Sequence, residues 1–238
     1  MSHEVNIHEA QISILRELLF HQEAGFNELK KPTGLDSDHF KFHIARLVDL
    51  GFVEKQESGK YKLTHKGKEH ANKLDTDAHT IERQPKISVL IAGWRKSENG
   101  EIEYLVQQRL KNPYYGFWAR LGGKISWGET AEEAAARELK EEAGLEADLK
   151  YCTLYHKLDY NKQSGDILED KFFITFTAQN FRGEFIEEFE GGRNAWMTLE
   201  EIRSQDKIFS GLETSDDYVY GRLDSFIEKK FYYEPDEY

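Results

Sequence analysis

Three glutamates, Glu138, Glu141 and Glu142, recur at spacings that place them on one face of a helix, where clustered carboxylates suit capture of a divalent cation. They close the segment GGKISWGETAEEAAARELKEEAGL, which runs from Gly122 to Leu145. Thr130 followed by Glu133 is a capping box, so a helix begins there. Alanines and straight-chain residues carry it on, and Gly144 ends it. At about 100° per residue the three acids fall within about 100° of one another. Ala131, Ala134 and Ala135 continue the same stripe, where an inward face normally carries large apolar residues. Small residues there let a glycine loop and a sheet come close, with the acids left beside a cleft. Carboxylates this close repel unless one is protonated or a cation joins them. Oxygen-only ligands favour Mg2+ or Mn2+ over zinc. A solvated acidic helix face has the same pattern, and the helix alone does not choose between the two. The Gly122-Gly123 turn and the isolated Glu129 favour the site.

The spacing from Gly123 onward resembles the Nudix hydrolase motif, G-x5-E-x7-R-E-U-x-E-E-x-G-U, where U is a bulky aliphatic residue. Gly123 is followed by five residues, Glu129, seven residues, and then Arg137-Glu138-Leu139-Lys140-Glu141-Glu142-Ala143-Gly144-Leu145, so every fixed position matches. The resemblance runs from about Lys86 to Arg203. It implies an α/β/α sandwich with a mixed sheet, in which Trp196–Glu201 supplies a late strand and the start of a second long helix. It also implies a hydrolase acting on phosphorus-containing acid anhydrides, a Mg2+-dependent pyrophosphohydrolase (Mn2+ as the substitute) that cleaves a nucleoside diphosphate linked to another moiety. On this resemblance Glu141 and Glu142 match the principal metal ligands. Glu138 matches a further ligand or the base, and the Gly123 carbonyl completes the set. Arg137 and Glu129 match residues that orient the cluster, by pairing with each other or with neighbouring acids. An acid outside the box often adds a ligand or base in such proteins; Glu187, Glu188 and Glu190 are the candidates here, with Glu190 preferred. Leu121 stands where members commonly carry proline, a change that bears on the loop and substrate positioning more than on metal binding. Trp127 inside the box is bulky and placed to shape the cleft.

The elements that must position this helix are legible around it. Lys86–Trp94 and Glu103–Arg109 read as two strands of a hairpin. An aromatic loop follows, with Tyr114, Tyr115, Phe117 and Trp118 as candidates to stack on a base. Arg109, Lys111 and Arg120 are candidates for phosphates. Arg109, Tyr115, Trp118 and Arg120 form the expected substrate-binding set. Phe172 and Phe173 in KFFITF read as a buried strand, at least in part. Residues 216–231 read as a C-terminal helix, and FYYEPDEY as a docking or frayed tail.

The first third of the chain has a different rhythm. Ile12, Leu15 and Leu19 mark an amphipathic helix over 8–22. A short helix follows at Phe26–Lys30, and a third at about 36–50 with Phe40, Ile44, Leu47 and Val48 inward. Phe52–Gln56 and Lys60–Thr64 make a hairpin, and Thr64 caps a helix reaching about Leu74. This order, with Phe40–Leu47 and Tyr61–Gly67, resembles prokaryotic winged helix-turn-helix repressors. The resemblance implies duplex DNA as a partner, with Lys41, Phe42 and Arg46 in the groove and Lys60 on phosphate. Residues 36–62 hold five Lys/Arg and five Asp/Glu, so no strong positive field supports it, and the alternative is a module used for dimerisation or docking. A homodimer follows from the paired half-sites such proteins use.

The fold class is therefore α+β: a winged helix-turn-helix over 1–78, a linker at 79–86, the Nudix unit at 87–205, and a C-terminal helix and tail at 206–238. The polar, proline-containing Thr76–Lys86 is the seam. The net charge of −12 is uneven, with eleven Lys/Arg against thirteen Asp/Glu in residues 1–80 and twenty-one against thirty-one in 81–238. The acidic second part disfavours nucleic acid, and with it RNA end processing. One cysteine excludes an internal disulfide and a cysteine-based zinc cluster. No apolar run spans a bilayer and no secretory signal opens the chain, so a cytoplasmic protein without a membrane partner is expected. The competing reading is a transcriptional regulator whose Nudix domain senses a nucleotide-like ligand. Complete glutamates favour hydrolysis.

Overall fold

In the computed structural model, which describes residues 8–72 and 83–238, the chain divides into two units, Met1–Arg83 and Gln84–Tyr238. The seam read at 76–86 lies outside the described residues up to position 82. No described helix is long and apolar enough to cross a membrane.

The first unit holds α1 (Glu9–Phe20), α2 (Phe26–Lys30), α3 (Ser37–Asp49), β1 (Val53–Lys55), β2 (Tyr61–Leu63) and α4 (His65–Ala71). Asp36 caps α3 by accepting from the Asp38 and His39 amides, and Thr64 caps α4 through the Gly67 amide. Both use a short oxygen side chain for an amide that the first helical turn leaves unpaired. Strands β1 and β2 pair antiparallel in the register Val53↔Leu63. Ile14, Leu15, Leu29, Phe40, Ile44 and Leu47 form the core. The expected element order is present, with two adjustments. The hairpin strands are three residues each, and Val48 is exposed, because 40, 44 and 47 already fill the inward stripe of α3. The expected helix end at Leu74 lies outside the described residues.

The second unit is built on a mixed sheet. Its strands are β3 (Lys86–Lys96), β4 (Ile102–Arg109), β5 (Trp118–Ala119), β6 (Leu121–Lys124), β7 (Leu145–Asn161), β8 (Ile167–Gly183), β9 (Glu188–Phe189), β10 (Gly192–Met197) and β11 (Phe226–Tyr233). The order is β11-β7-β8-β3-β4-β10-β9, with β5 on β4 and β6 on β3. β3 runs parallel to β8, and β7 to β11; the other pairs are antiparallel. Helix α5 (Ala131–Ala143) buries Ala134, Ala135 and Leu139 against Val89, Ile91, Leu105 and Leu121. Helix α6 (Leu199–Arg203) packs through Ile202 against Tyr104, Val106 and Trp118. Successive strand residues face opposite ways, so Leu105 and Val106 place these two clusters on opposite faces of the sheet.

Two expectations at the C-terminal end are corrected. The second long helix is absent: α6 has five residues, and the chain then turns back to pair the Lys207 carbonyl with the Trp118 amide. Residues 216–231 are not one helix. After the four-residue α7 (Asp216–Val219), Phe226–Tyr233 form β11 on the edge of β7, in the register Phe226↔Leu154 to Tyr233↔Asn161. Ile227, Phe231 and Tyr233 turn inward at even spacings, on one face of a strand. The tail folds onto the same unit, Tyr238 donating to the Leu168 carbonyl.

His156 of β7 ties this edge together. Its ring lies 2.6 Å from Glu228 of β11 and 2.9 Å from Asp170 of β8, stacked on Phe172. Burial pulls its pKa down, but the two carboxylates outweigh that and hold it above the usual 6.5. A histidine whose folded pKa is raised adds stability that is complete below the unfolded pKa and is lost as pH rises through the folded one. Thermal melts from pH 5 to 9 are therefore expected to show a fall through and above about 6.5 that His156→Gln removes. A fall of equal size in the variant would contradict the assignment.

Candidate active site

Gly123 and the alanines of α5 let the helix lie so close to β6 that a β-carbon on Gly123 would overlap the Glu138 carboxylate. That contact draws the acids of α5 to the glycine turn. Arg137 is the hub of the arrangement. Its Nε and Nη2 hold the two oxygens of Glu129 at 2.7 and 3.0 Å. Its Nη1 reaches Glu138 Oε1 at 2.8 Å and Glu141 Oε2 at 3.1 Å, and Nη2 also donates to the Lys124 carbonyl. A planar fork of five N–H donors holds several carboxylates in fixed directions, whereas a lysine ammonium is a single point charge. The Arg137 hydrogen bond and the Ser126 amide push Glu129 down to about 2, so it stays ionised. Thus the expected pairing of Arg137 with Glu129 is present.

Glu142 is held differently. Gln107 Nε2 donates to its carboxylate at 3.0 Å, and Asn194 Nδ2 donates to its backbone carbonyl at 2.7 Å. Gln107 and Asn194 also bond each other, so strands β4 and β10 fix the end of α5. Burial raises the Glu142 pKa, with the Glu138 charge adding to it and Gln107 opposing. The donors around the turn are all oxygen, matching a hard divalent cation. Among the described residues no three His, Cys, Asp or Glu side chains already converge on one point; Glu138 and Glu141 are engaged by Arg137, and Glu141 faces solvent.

Glu138, Glu142 and Gly123 line a cavity of about 570 Å3 in the second unit. Arg109 and Arg120 line it as well, with Lys111, Lys124, Lys86, Lys157 and Lys171. Seven cations against four carboxylates make this a positive recess in an acidic chain, a setting for an anionic ligand. Arg109 donates to the Pro113 carbonyl and Arg120 to Gly211 and Ser215. Burial draws the Arg109 pKa down, opposed by Glu142 and Glu169.

Other expected residues lie elsewhere. Trp118 is buried in the core beneath α6, and Tyr115 is exposed; neither lines the cavity, whereas Tyr114, Phe173 and Phe209 do. Glu190 is exposed beside β9 and, like Glu187 and Glu188, is absent from the lining. In the first unit, Lys41 pairs with Asp38 at 3.1 Å and Lys60 with Glu23 at 2.7 Å, while Phe42 and Arg46 are exposed. Sequence reasoning missed Gln107, Asn194, Lys157 and Asp159. The charged Lys157 and Asp159, alternating with apolar Leu154 and Leu158 in a strand, were the available signal for the last two.

The family described as NUDIX domain matches residues 85–216, and residues 4–74 match a family described as Domain of unknown function (DUF7347). An uncharacterized Nudix hydrolase of Bacillus subtilis, YvcI, is 28% identical over 98 residues, 40% of this chain and 60% of that protein. An 8-oxo-dGTP diphosphatase of Proteus vulgaris is 36% identical over 72 residues, 30% of this chain and 62% of its own. An ADP-ribose pyrophosphatase of Methanocaldococcus jannaschii is 36% identical over 93 residues, 37% and 52%. The chain thus spans about half to three-fifths of the length of these relatives. The NUDIX domain of Shewanella oneidensis NrtR, solved with ADP ribose, overlaps 68% of this chain and all of its own at 18% identity and a TM-score of 0.49. With the box complete from Gly123 to Leu145 and the family match spanning more than half its residues, the chain belongs to the Nudix family.

Proposed function

We propose that the second unit is a hydrolase that splits a diphosphate linkage in a nucleoside diphosphate joined to another group, with Mg2+ as its metal and Mn2+ as a substitute. The observation that carries this is the placement of the Glu138 and Glu142 carboxylates on the wall of a cation-lined cavity, with Arg137 gathering Glu129, Glu138 and Glu141. Glu138, Glu141, Glu142 and the Gly123 carbonyl would hold the metal. Once bound, the cation would neutralise pyrophosphate oxygens and lower the pKa of the attacking water. Arg109, Lys111 and Lys124 meet the remaining phosphate charge. Water oxygen bonds to phosphorus as the bridging P–O bond breaks, the bridging oxygen leaves with the other phosphate, and one proton of the water passes to a carboxylate of the cluster; Glu138 takes that part where it does not serve as a ligand.

The first unit, in this reading, is a winged helix-turn-helix that docks or regulates, supported by its element order. Lys41 and Lys60 are each paired with a carboxylate, Asp38 and Glu23, which offsets the charge they would offer duplex DNA. Unspecific duplex is therefore expected to bind weakly in fluorescence anisotropy; tight binding that falls steeply with salt would contradict that. The sensor reading has no observation in its favour over hydrolysis.

The test is a panel of nucleoside diphosphate compounds that includes ADP-ribose and 8-oxo-dGTP, the compounds named for two relatives. Chromatography is expected to show a nucleoside monophosphate with Mg2+, none with EDTA, and recovery on adding Mg2+ back. No cleavage of any compound with either metal would overturn the reading.

A further inference from the structure

The end of the cavity formed by β7 and β8 carries polar groups that the hydrolytic chemistry does not use. Same-face residues of neighbouring strands lie in register there, Lys157↔Lys171 and Asp159↔Glu169. Glu169 is satisfied by Lys86 at 2.9 Å and Lys171 at 3.4 Å. Asp159 is not. It is 2% exposed, and its Oδ2 accepts from Tyr114 at 2.9 Å and Lys157 at 2.6 Å. Its Oδ1 has no partner, the one buried carboxylate oxygen so placed among the described residues. Buried acceptors are rarely left open, and Asp159 is among the residues that line the cavity, so the open oxygen points to a donor on a ligand.

Lys157 is fixed beside it. Its ammonium lies among the Tyr114, Phe209, Phe231 and Tyr233 rings, 4.6 to 5.8 Å from their centroids. It donates to Asp159 and to the Tyr233 hydroxyl, leaving one of an ammonium's three protons unassigned. Phe173, Tyr155 and Phe209 line the same recess and offer flat apolar faces. The ligand end that fits is therefore flat and carries an N–H for Asp159 beside a strong acceptor for Lys157. A phosphate has the acceptors, but it lacks the donor and would meet the carboxylate.

We propose that Asp159 and Lys157 read the polar edge of the substrate's base and select one with an N–H next to a carbonyl oxygen: guanine, hypoxanthine, uracil or thymine. Adenine and cytosine reverse that edge, with the N–H on the exocyclic amino group and the acceptor a ring nitrogen, so a pair of groups set for a ring N–H and an exocyclic oxygen fits them less well. The selection rests on the hydrolase reading for its substrate, but binding can be measured without turnover.

The experiment is equilibrium binding of GMP, UMP, AMP and CMP to the full chain by calorimetry, beside kcat/KM for the matching diphosphate compounds. GMP and UMP are expected to bind at least about tenfold tighter than AMP and CMP. Asp159→Asn turns one carboxylate oxygen into a donor and is expected to level the four affinities. A melt confirms that the variant is folded, and the wild-type ranking stands as a test if it is not. Equal wild-type affinities, preference for AMP or CMP, or no binding at millimolar concentration would overturn the proposal. Hydrolysis without base preference would overturn it and leave the hydrolase reading intact. Ranked binding without hydrolysis would do the reverse.

Discussion

Glu142→Gln is expected to lower turnover about 10²–10³-fold, the cost of removing one group that stabilises charge in the transition state. Gln107 donates to the carboxylate at 3.0 Å, and a side-chain amide of the same shape still offers it an acceptor. Local packing should therefore survive. What is lost is a negative charge for the cation. The same charge is a burden to the folded protein, since burial and Glu138 raise the Glu142 pKa. The variant's melting temperature is thus expected to equal or exceed that of wild type. Steady-state kinetics and a thermal melt on one preparation check both halves. Retained turnover would remove Glu142 from the chemistry, and a lost fold would make it structural.

The second large effect belongs to Gly123→Ala. The added β-carbon would overlap the Glu138 carboxylate, and that carboxylate sits at the far end of a flexible side chain. It can swing away, so the fold should hold with a change in melting temperature within a few degrees, about 1 kcal/mol or less. In moving, Glu138 gives up its bond to Arg137 Nη1 and the mouth of the turn. Turnover is expected to fall about 10- to 100-fold, the cost of a small misplacement at a reacting centre. Gly122→Ala is the contrasting variant. Its β-carbon would run into the Val89 backbone carbonyl, which cannot swing, so stability should suffer there first. Melting curves and rates for the two variants separate these causes. A destabilised Gly123→Ala with undiminished specific activity would contradict the close-approach account.

The site was legible where its parts are close in sequence. Thr130 and Gly144 bound α5 at the expected residues, and Arg137 meets Glu129 across eight positions. Recognition of Asp159 needed contacts with Tyr114, 45 positions away, and the Glu169 register of β8. No local pattern carries that information. The C-terminal strand was misread for a related reason. FIEKKFYY is short, and its neighbour β7 lies about seventy residues earlier in the chain, so parallel edge pairing left no hairpin signal. Trp118 shows a third limit: an aromatic in a loop beside a cavity resembles a stacking platform, yet its ring fills the core under α6. Glu190 belongs to an acidic run whose direction depends on the short β9–β10 pairing, and that turn leaves it outside the cavity lining.

Hydrolysis in water enriched in 18O, with Mg2+ and mass spectrometry of the products, tests the central claim most directly. The expected result is one 18O per cleavage, on the phosphate of one product, with no incorporation when EDTA replaces Mg2+ and about 10²–10³-fold slower incorporation when Gln replaces Glu142. Label on a sugar carbon, label that persists without metal, or no cleavage across the panel would contradict attack of water at phosphorus in the carboxylate cluster of α5.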